Sequence, residues 1–246
     1  MGVGEIERRP LRPPFPVTCS IPPLPPSLRP QRMVCDKHRI RFRKTADLRL
    51  ISHHDLMRCF ERMLRRAELP FRSTAGFNPK PRLVFALPLP LGVIGCQEVA
   101  ELELNAELPP EEVCARLARQ APPGLEILTA RRIDARTTAH VHRVCYRLPV
   151  PPERCDGLPA RMAALLAAPA CWLERTRPQP RRLDIRPYIS DLRLLPGAVE
   201  MDLFVTPHGS ARPDEVLSQL GLSDLLHGGA VLERTVLELE DEGSQR

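Results

Sequence analysis

Two short segments repeat one another along this chain, and they narrow the possible folds more than any other feature. Pro110-Glu111-Glu112-Val113 with Leu117, and Pro213-Asp214-Glu215-Val216 with Leu220, share the same internal spacing. Each puts proline and acidic residues in a first helical turn, where the missing proline N–H costs nothing and the carboxylates meet the positive end of the helix dipole. Each also follows a segment that alternates apolar and polar residues as a half-buried strand does: Ala100-Glu101-Leu102-Glu103-Leu104 and Val199-Glu200-Met201-Asp202-Leu203. One structural unit used twice accounts for both copies.

Around these anchors the rest of each unit can be read. Arg39-Ile40-Arg41-Phe42-Arg43 alternates as a strand with Ile40 and Phe42 inward, and Leu56, Phe60, Leu64 and Ala67 recur at helical spacing over about 53–68. Residues 71–74 and 82–87 read as strands around a turn, and 125–133 closes the unit. The second half gives a strand over 142–150, a helix over 157–168, strands over 172–175 and 182–189, and a last strand after Gly228-Gly229. The order β-α-β-β-α-β is that of a ferredoxin-like unit, an antiparallel sheet with both helices on one face. The expected fold is therefore α+β, with two tandem ferredoxin-like units, 38–135 and 136–246. Residues 1–37 are expected to form a disordered leader, because nine of the 29 prolines fall in 1–31 without apolar periodicity. Met33, just upstream of the first strand, offers an alternative start of translation.

Charge divides the chain in the same way. Lys and Arg against Asp and Glu count twelve to four over 39–82, two to seven over 98–127, thirteen to six over 131–193 and three to ten over 198–246. Each half begins basic and ends acidic, which suits a polyanion or an acidic partner as well as it suits a solvated surface. Aromatic residues make up only 4% of the chain, so the cores must be built from Leu, Val and Ala, and stacking of bases is limited. The eight cysteines lie at least ten residues apart, which excludes a CxxC zinc knuckle and a C-x3-C-x2-C cluster loop. They read as buried thiols of a reducing cytoplasm, and no apolar run reaches the length of a membrane span.

Four local motifs carry candidate chemistry. Ser52-x-x-Asp55 reads as a capping box at a helix start, with His53 and His54 in the first turn, where the dipole keeps imidazole neutral. Arg58, Arg62 and Arg66 form a stripe at i, i+4 and i+8 with Arg65 beside it, and Glu61 is placed to pair with Arg65. Arginine forks match phosphates in a bidentate way, although only three lysines in the chain show that arginine is favoured everywhere. Gly76-Phe77-Asn78-Pro79-Lys80-Pro81-Arg82 must be a shaped loop, since two prolines remove donors; it either presents Phe77, Asn78, Lys80 and Arg82 to a ligand or simply joins strands. Arg182, Asp184, Arg186 and Tyr188 lie on the expected basic strand of the second half, where Tyr188 could stack a base or the residues could merely be exposed.

Taken in order, Ser52-His53-x-Asp55-Leu56-Met57-Arg58, Glu61-Arg62, Arg65-Arg66-Ala67, Leu69-Pro70, Gly76-Phe77-Asn78-Pro79-x-Pro81, Pro88-x-Pro90-x-Gly92 and Glu98 resemble the radical-SAM-linked protein family, DUF2344, over roughly 38–240. The resemblance implies a B12-binding radical SAM protein as partner, which would carry an iron–sulfur cluster, S-adenosylmethionine and cobalamin; it implies no reaction for this chain, in which no cofactor or metal is expected. His53 matches the family motif, whereas His54 replaces an apolar residue. The leading expectation is a non-catalytic cytoplasmic accessory protein that holds an RNA substrate for modification. Two rivals stand beside it: acid/base catalysis by His53 with Asp55 or Asp184, and a pure protein–protein adaptor.

Overall fold

The computed structural model describes residues 35–176 and 180–242, so the leader expectation lies outside the described residues except at its end. There it is corrected, because Asp36 and Lys37 already belong to the first strand. The first half runs β1 (Asp36–Lys44), α1 (His53–Arg66), β2 (Leu83–Phe85), β3 (Ile94–Leu104), α2 (Pro110–Ala118) and β4 (Leu125–Ile133). The second runs β5 (Val141–Pro149), α3 (Leu158–Ala167), β6 (Trp172–Arg175), β7 (Arg181–Asp184), β8 (Ile189–Leu195) and β9 (Ala198–Thr206). It closes with β10 (Gly209–Ser210), α4 (Pro213–Gln219), α5 (Ser223–His227) and β11 (Glu233–Leu239).

The architecture is mixed α+β around a mostly antiparallel sheet of nine strands. Its main path is β10-β9-β5-β11-β3-β1-β4, with β2 on β3 and β8 on β9. The pleat sorts the side chains. In β1, Ile40 and Phe42 turn to the helices, and in β9 Val199, Met201 and Leu203 do the same. Two apolar cores result. One packs Leu56, Phe60, Met63 and Leu64 of α1 and Val113 and Leu117 of α2 on β1, β3 and β4; the other packs α3, α4 and the 220–232 segment on β5, β8, β9 and β11. Each fully buried side chain of this kind contributes roughly 1.5–3 kcal/mol. The repeated helix starts serve the same purpose in both halves, since Val113, Leu117, Val216 and Leu220 are all completely buried.

The opposite face of the sheet is a lattice of charge, matched across strands. Arg147 lies opposite Glu200 and is bonded to it at 2.6 Å, and Arg143 lies opposite Glu238 at 2.7 Å. Arg193 of β8 reaches Asp202 at 3.1 Å. Opposite charges placed directly across a sheet stabilise it; like charges there do the reverse.

β11 joins the halves. It pairs antiparallel with β5 and, for Glu233 and Arg234, parallel with Ile94 and Gly95 of β3. At this junction Arg234, only 1% exposed, grips the Glu98 carboxylate with two nitrogens, Nε–Oε1 being 2.8 Å, and donates to the carbonyls of Leu87 and Pro88 at 3.2 and 3.3 Å. Burial opposes the charge on Arg234, but Glu98 outweighs it and raises the guanidinium pKa. Gly95 makes the geometry possible, because a Cβ there would sit 2.5 Å from Cγ of Glu98.

Three sequence expectations are corrected. The segments 71–74 and 82–87 are not full strands: β2 keeps only Leu83–Phe85, and Phe71 and Ser73 make isolated bridges to Leu104 and Pro81. Pro79 and Pro81 remove the donors that longer pairing would need. The single strand expected over 182–189 is broken in two. Pro187 sits in a 3-10 turn, Arg186–Tyr188, between β7 and β8, and β6 with β7 forms a separate two-stranded ribbon while β8 takes the place on β9. The leader boundary, already noted, is the third.

The buried pair yields a direct test. Glu98→Gln or Arg234→Met alone should lower stability by about 3–5 kcal/mol, because each leaves the other charge buried without its partner. The double variant should cost clearly less than the sum of the two in urea unfolding. Additive losses would show that the two groups are not coupled.

Candidate binding face

Helix α1 begins where the sequence places it. The Ser52 hydroxyl accepts from the Asp55 backbone N–H at 3.2 Å and donates to the Asp55 carboxylate at 2.7 Å. That hydroxyl contact, then Arg58, holds the Asp55 carboxyl below the usual range. The helix ends at Ala67, followed by Glu68 with positive φ of 51° and by Leu69, whose N–H returns to the Leu64 carbonyl. One side of the helix is core. The other exposes Arg58, Arg62, Arg65 and Arg66.

These arginines differ in their partners. Arg58 lies 3.5 Å from Asp55. The Arg65 guanidinium sits over the Phe71 ring, 5.6 Å from its centroid, and so does not take the expected pairing with Glu61. Arg66 donates to the Gln120 carbonyl at 3.2 Å. No carboxylate neutralises Arg62, Arg65 or Arg66 among the described residues.

Phe71 is the root of the arm that carries the Gly/Pro loop. The Thr74 N–H donates to the Lys80 carbonyl at 2.8 Å, and the Lys80 N–H to the Thr74 hydroxyl at 3.1 Å, which closes the tip. Phe77 stands fully exposed there, with Asn78 and Lys80 exposed beside it. Arg82 is less free, because Glu103 accepts from it at 3.4 Å and also pairs with Arg72 at 3.5 Å. The Arg65–Phe71 contact thus joins the arginine face of α1 to the base of the arm.

His53 is drawn inward instead. Its ring meets Phe85 edge-on at 5.3 Å, beside the Phe42–Phe60 pair, and its Nδ1 is buried without a hydrogen-bond partner among the described residues. Burial, then His54 and Lys44, pushes its pKa down. Asp55 engages Ser52 and Arg58. In the second half Asp184 is a structural acceptor for the N–H groups of Cys171 and Arg186 at 2.7 and 3.0 Å. The Arg186 guanidinium is spent on the carbonyls of Leu166, at 2.6 and 3.0 Å, and Ile189, at 2.7 Å. Tyr188 is half-buried in the 3-10 turn rather than on a strand face. Of this group only Arg182 faces outward, stacked 4.8 Å above the ring centroid of exposed Trp172. Trp172 was not among the candidates, although a lone tryptophan near an arginine-rich strand is a readable signal.

Elsewhere the chemistry is quiet. Burial pushes the Cys145 thiol up to about 11, and among the described residues no three His, Cys, Asp or Glu side chains converge as metal ligands. A cleft of 620 Å³ opens beside the junction, between the 87–93 loop and the start of α4, but Arg234 in its wall already spends its donors on Glu98 and two carbonyls.

Fold and surface together define an α+β protein whose prominent exposed features are an arginine helix and an aromatic-tipped arm. The chain belongs to the family described as an uncharacterized protein conserved in bacteria (DUF2344), which matches residues 37–213. No curated protein matches it. A solved structure, of an unknown protein from Galdieria sulphuraria, aligns over 84% of this chain and 99% of its own at 13% identity, with a TM-score of 0.26. No helix among the described residues is long and apolar enough to cross a membrane.

Two measurements check this geometry. Ser52→Ala should cost about 1 kcal/mol of stability through the lost cap, and a much larger loss would mean that Ser52 holds more than the helix start. In a pH titration followed by NMR, the His53 ring should titrate below the ordinary histidine range; a value at or above that range would contradict its burial beside Phe85.

Proposed function

We propose that this protein binds rather than catalyses, and that it holds an RNA substrate through phosphate contacts on the α1 face while a B12-binding radical SAM enzyme modifies it. The observation that carries the RNA half is the contrast in arginine pairing: the arginines of the sheet are tied to carboxylates, whereas Arg62, Arg65 and Arg66 are exposed without one among the described residues. Unneutralised guanidinium groups on a rigid helix suit a phosphate backbone. The engagement of Asp55 by Ser52 and Arg58, and of Asp184 by backbone donors, weighs against acid/base chemistry at His53. The partner half, including the iron–sulfur cluster, S-adenosylmethionine and cobalamin of that enzyme and a cytoplasmic setting, rests on the family resemblance.

We read the scaffold as two ferredoxin-like units, 38–135 and 136–246. In support, β4-β1-β3-β2 and β11-β5-β9-β8 repeat one strand order when β6 and β7 are taken as an insertion. The protein–protein adaptor keeps one specific argument, the full exposure of Phe77 on its arm. Such a ring suits a partner's apolar pocket.

Binding of single-stranded RNA should weaken with salt, with a log–log slope of roughly −0.7 per phosphate contact. Changing Arg62, Arg65 and Arg66 to Gln should flatten that slope by about two units at unchanged circular dichroism, and should weaken different sequences alike. An unchanged slope would remove α1 as the RNA surface. No binding by the parent at micromolar concentration would leave the adaptor, for which Phe77→Ser should abolish co-purification with the radical SAM enzyme.

A further inference from the structure

On the face of the sheet away from α1, residues 39 and 131 are both arginine and stand directly opposite one another across β1 and β4. Arg41 follows two residues on, on the same face of β1. Three guanidinium groups so placed repel one another unless an anion lies among them. Here the anion comes from the far end of the described chain. Glu242 takes Arg131 on one carboxylate oxygen and Arg41 on the other, and Arg39 approaches it at 3.4 Å. Asp241 adds a bidentate contact to Arg39 at 2.8 and 2.9 Å.

A single carboxylate held by three arginines from two strands is a built anion site with an occupant. The floor is fixed independently of that occupant: Arg39, 1% exposed, is bonded to Glu101 at 2.9 and 3.1 Å, and Lys37 holds the other oxygen of Glu101 at 2.8 Å. The cover is less secure. Asp241 and Glu242 lie in a turn just beyond β11, and their side chains are 38% and 23% exposed, against 1% for the Arg39 beneath them. Tetrahedral phosphate oxygens can replace such carboxylates on arginine forks with equal charge and similar geometry.

We propose that Arg39, Arg41 and Arg131 form a phosphate-binding site on the open sheet face, and that the Asp241–Glu242 turn is an internal mimic of the phosphodiester which must be displaced before RNA enters. The site is separate from the α1 face and does not depend on it. The covered state lowers affinity by competition, so the turn acts as a built-in threshold: a short or weakly charged ligand does not dislodge it, and a continuous phosphate backbone does.

The experiment uses the full chain and a ten-nucleotide uridine RNA. Asp241→Asn with Glu242→Gln should bind it about tenfold more tightly at low salt, with a log–log salt slope steeper by about 1.4, as two freed arginines, Arg41 and Arg131, require. Adding Arg41→Gln and Arg131→Gln should abolish the gain. A charge-matched control, Glu107→Gln with Glu153→Gln at two exposed sites, separates local release from a general rise in positive charge. The proposal is overturned if the turn variant binds no more tightly than the parent, if the control gains as much, or if the gain survives loss of Arg41 and Arg131. Thermal melting of each variant guards the interpretation: a turn variant that melts early without gaining affinity assigns Asp241 and Glu242 to stability alone. Because the α1 arginines are intact throughout, failure here leaves the reading of that face untouched, and a gain here stands even if the α1 variants bind normally.

Discussion

The Glu98–Arg234 pair is the contact on which the continuity of this sheet depends. It lies where β11 meets β3 in the short parallel stretch of the sheet, and it brings together a carboxylate from the first half and a guanidinium from the end of the second. Parallel pairing over so few residues offers little ladder energy, and an apolar contact would hold the two strands without fixing their register. A buried ion pair does fix register, since a slip of β11 by one residue would turn Arg234 to the opposite face and leave Glu98 without it. Gly95 and the carbonyls of Leu87 and Pro88 complete the cradle, which ties the Pro88-x-Pro90-x-Gly92 segment to the same point. The matched family region ends at residue 213, so Glu98 lies inside it and Arg234 beyond it.

The arginine content resolves into separate physical jobs. Some arginines are architectural: Arg234 in the core, Arg186 saturated by carbonyls, and Arg143, Arg147 and Arg193 matched to acids across the open face. Others, Arg62, Arg65 and Arg66, are exposed on α1 with no acid beside them among the described residues. Counting charge along the sequence does not separate these classes, because a strand arginine and a helix arginine contribute equally to the sum. What separates them is the register of the strands, which sets Glu200 against Arg147 and Arg131 against Arg39.

Much of the scaffold was legible for local reasons. The start of α1 is written in Ser52 and Asp55 and its buried side in Leu56, Phe60 and Leu64; the twin helix starts at 110 and 213 carry their own punctuation. β8 is hidden because the alternation of Arg182 and Asp184 runs on visually into Arg186-Pro187-Tyr188, although Pro196-Gly197 after Ile189–Leu195 marks a hairpin. The candidate site was legible in the same degree. The α1 arginines and Phe77 are exposed as helix period and proline chemistry suggest, but the uses of Arg186 and Asp184 depend on neighbours brought in by tertiary folding. So do the half-buried position of His53 against Phe85 and the grouping of Arg39, Arg41 and Arg131 around Glu242, none of which any local pattern encodes.

The place of β11 has a consequence for the order in which the chain is made. Strands β3 and β5 are complete long before residues 233–239 leave the ribosome, and until then each lacks the neighbour that separates and joins them. During synthesis the first half must wait with an open strand edge and with Glu98 lacking its Arg234 partner. Edges of this kind recruit other chains, and contacts so distant in sequence close slowly. The nascent protein is therefore most exposed to mispairing in the interval between the end of β9 and the emergence of Arg234, a hazard set by topology and by the lateness of one side chain.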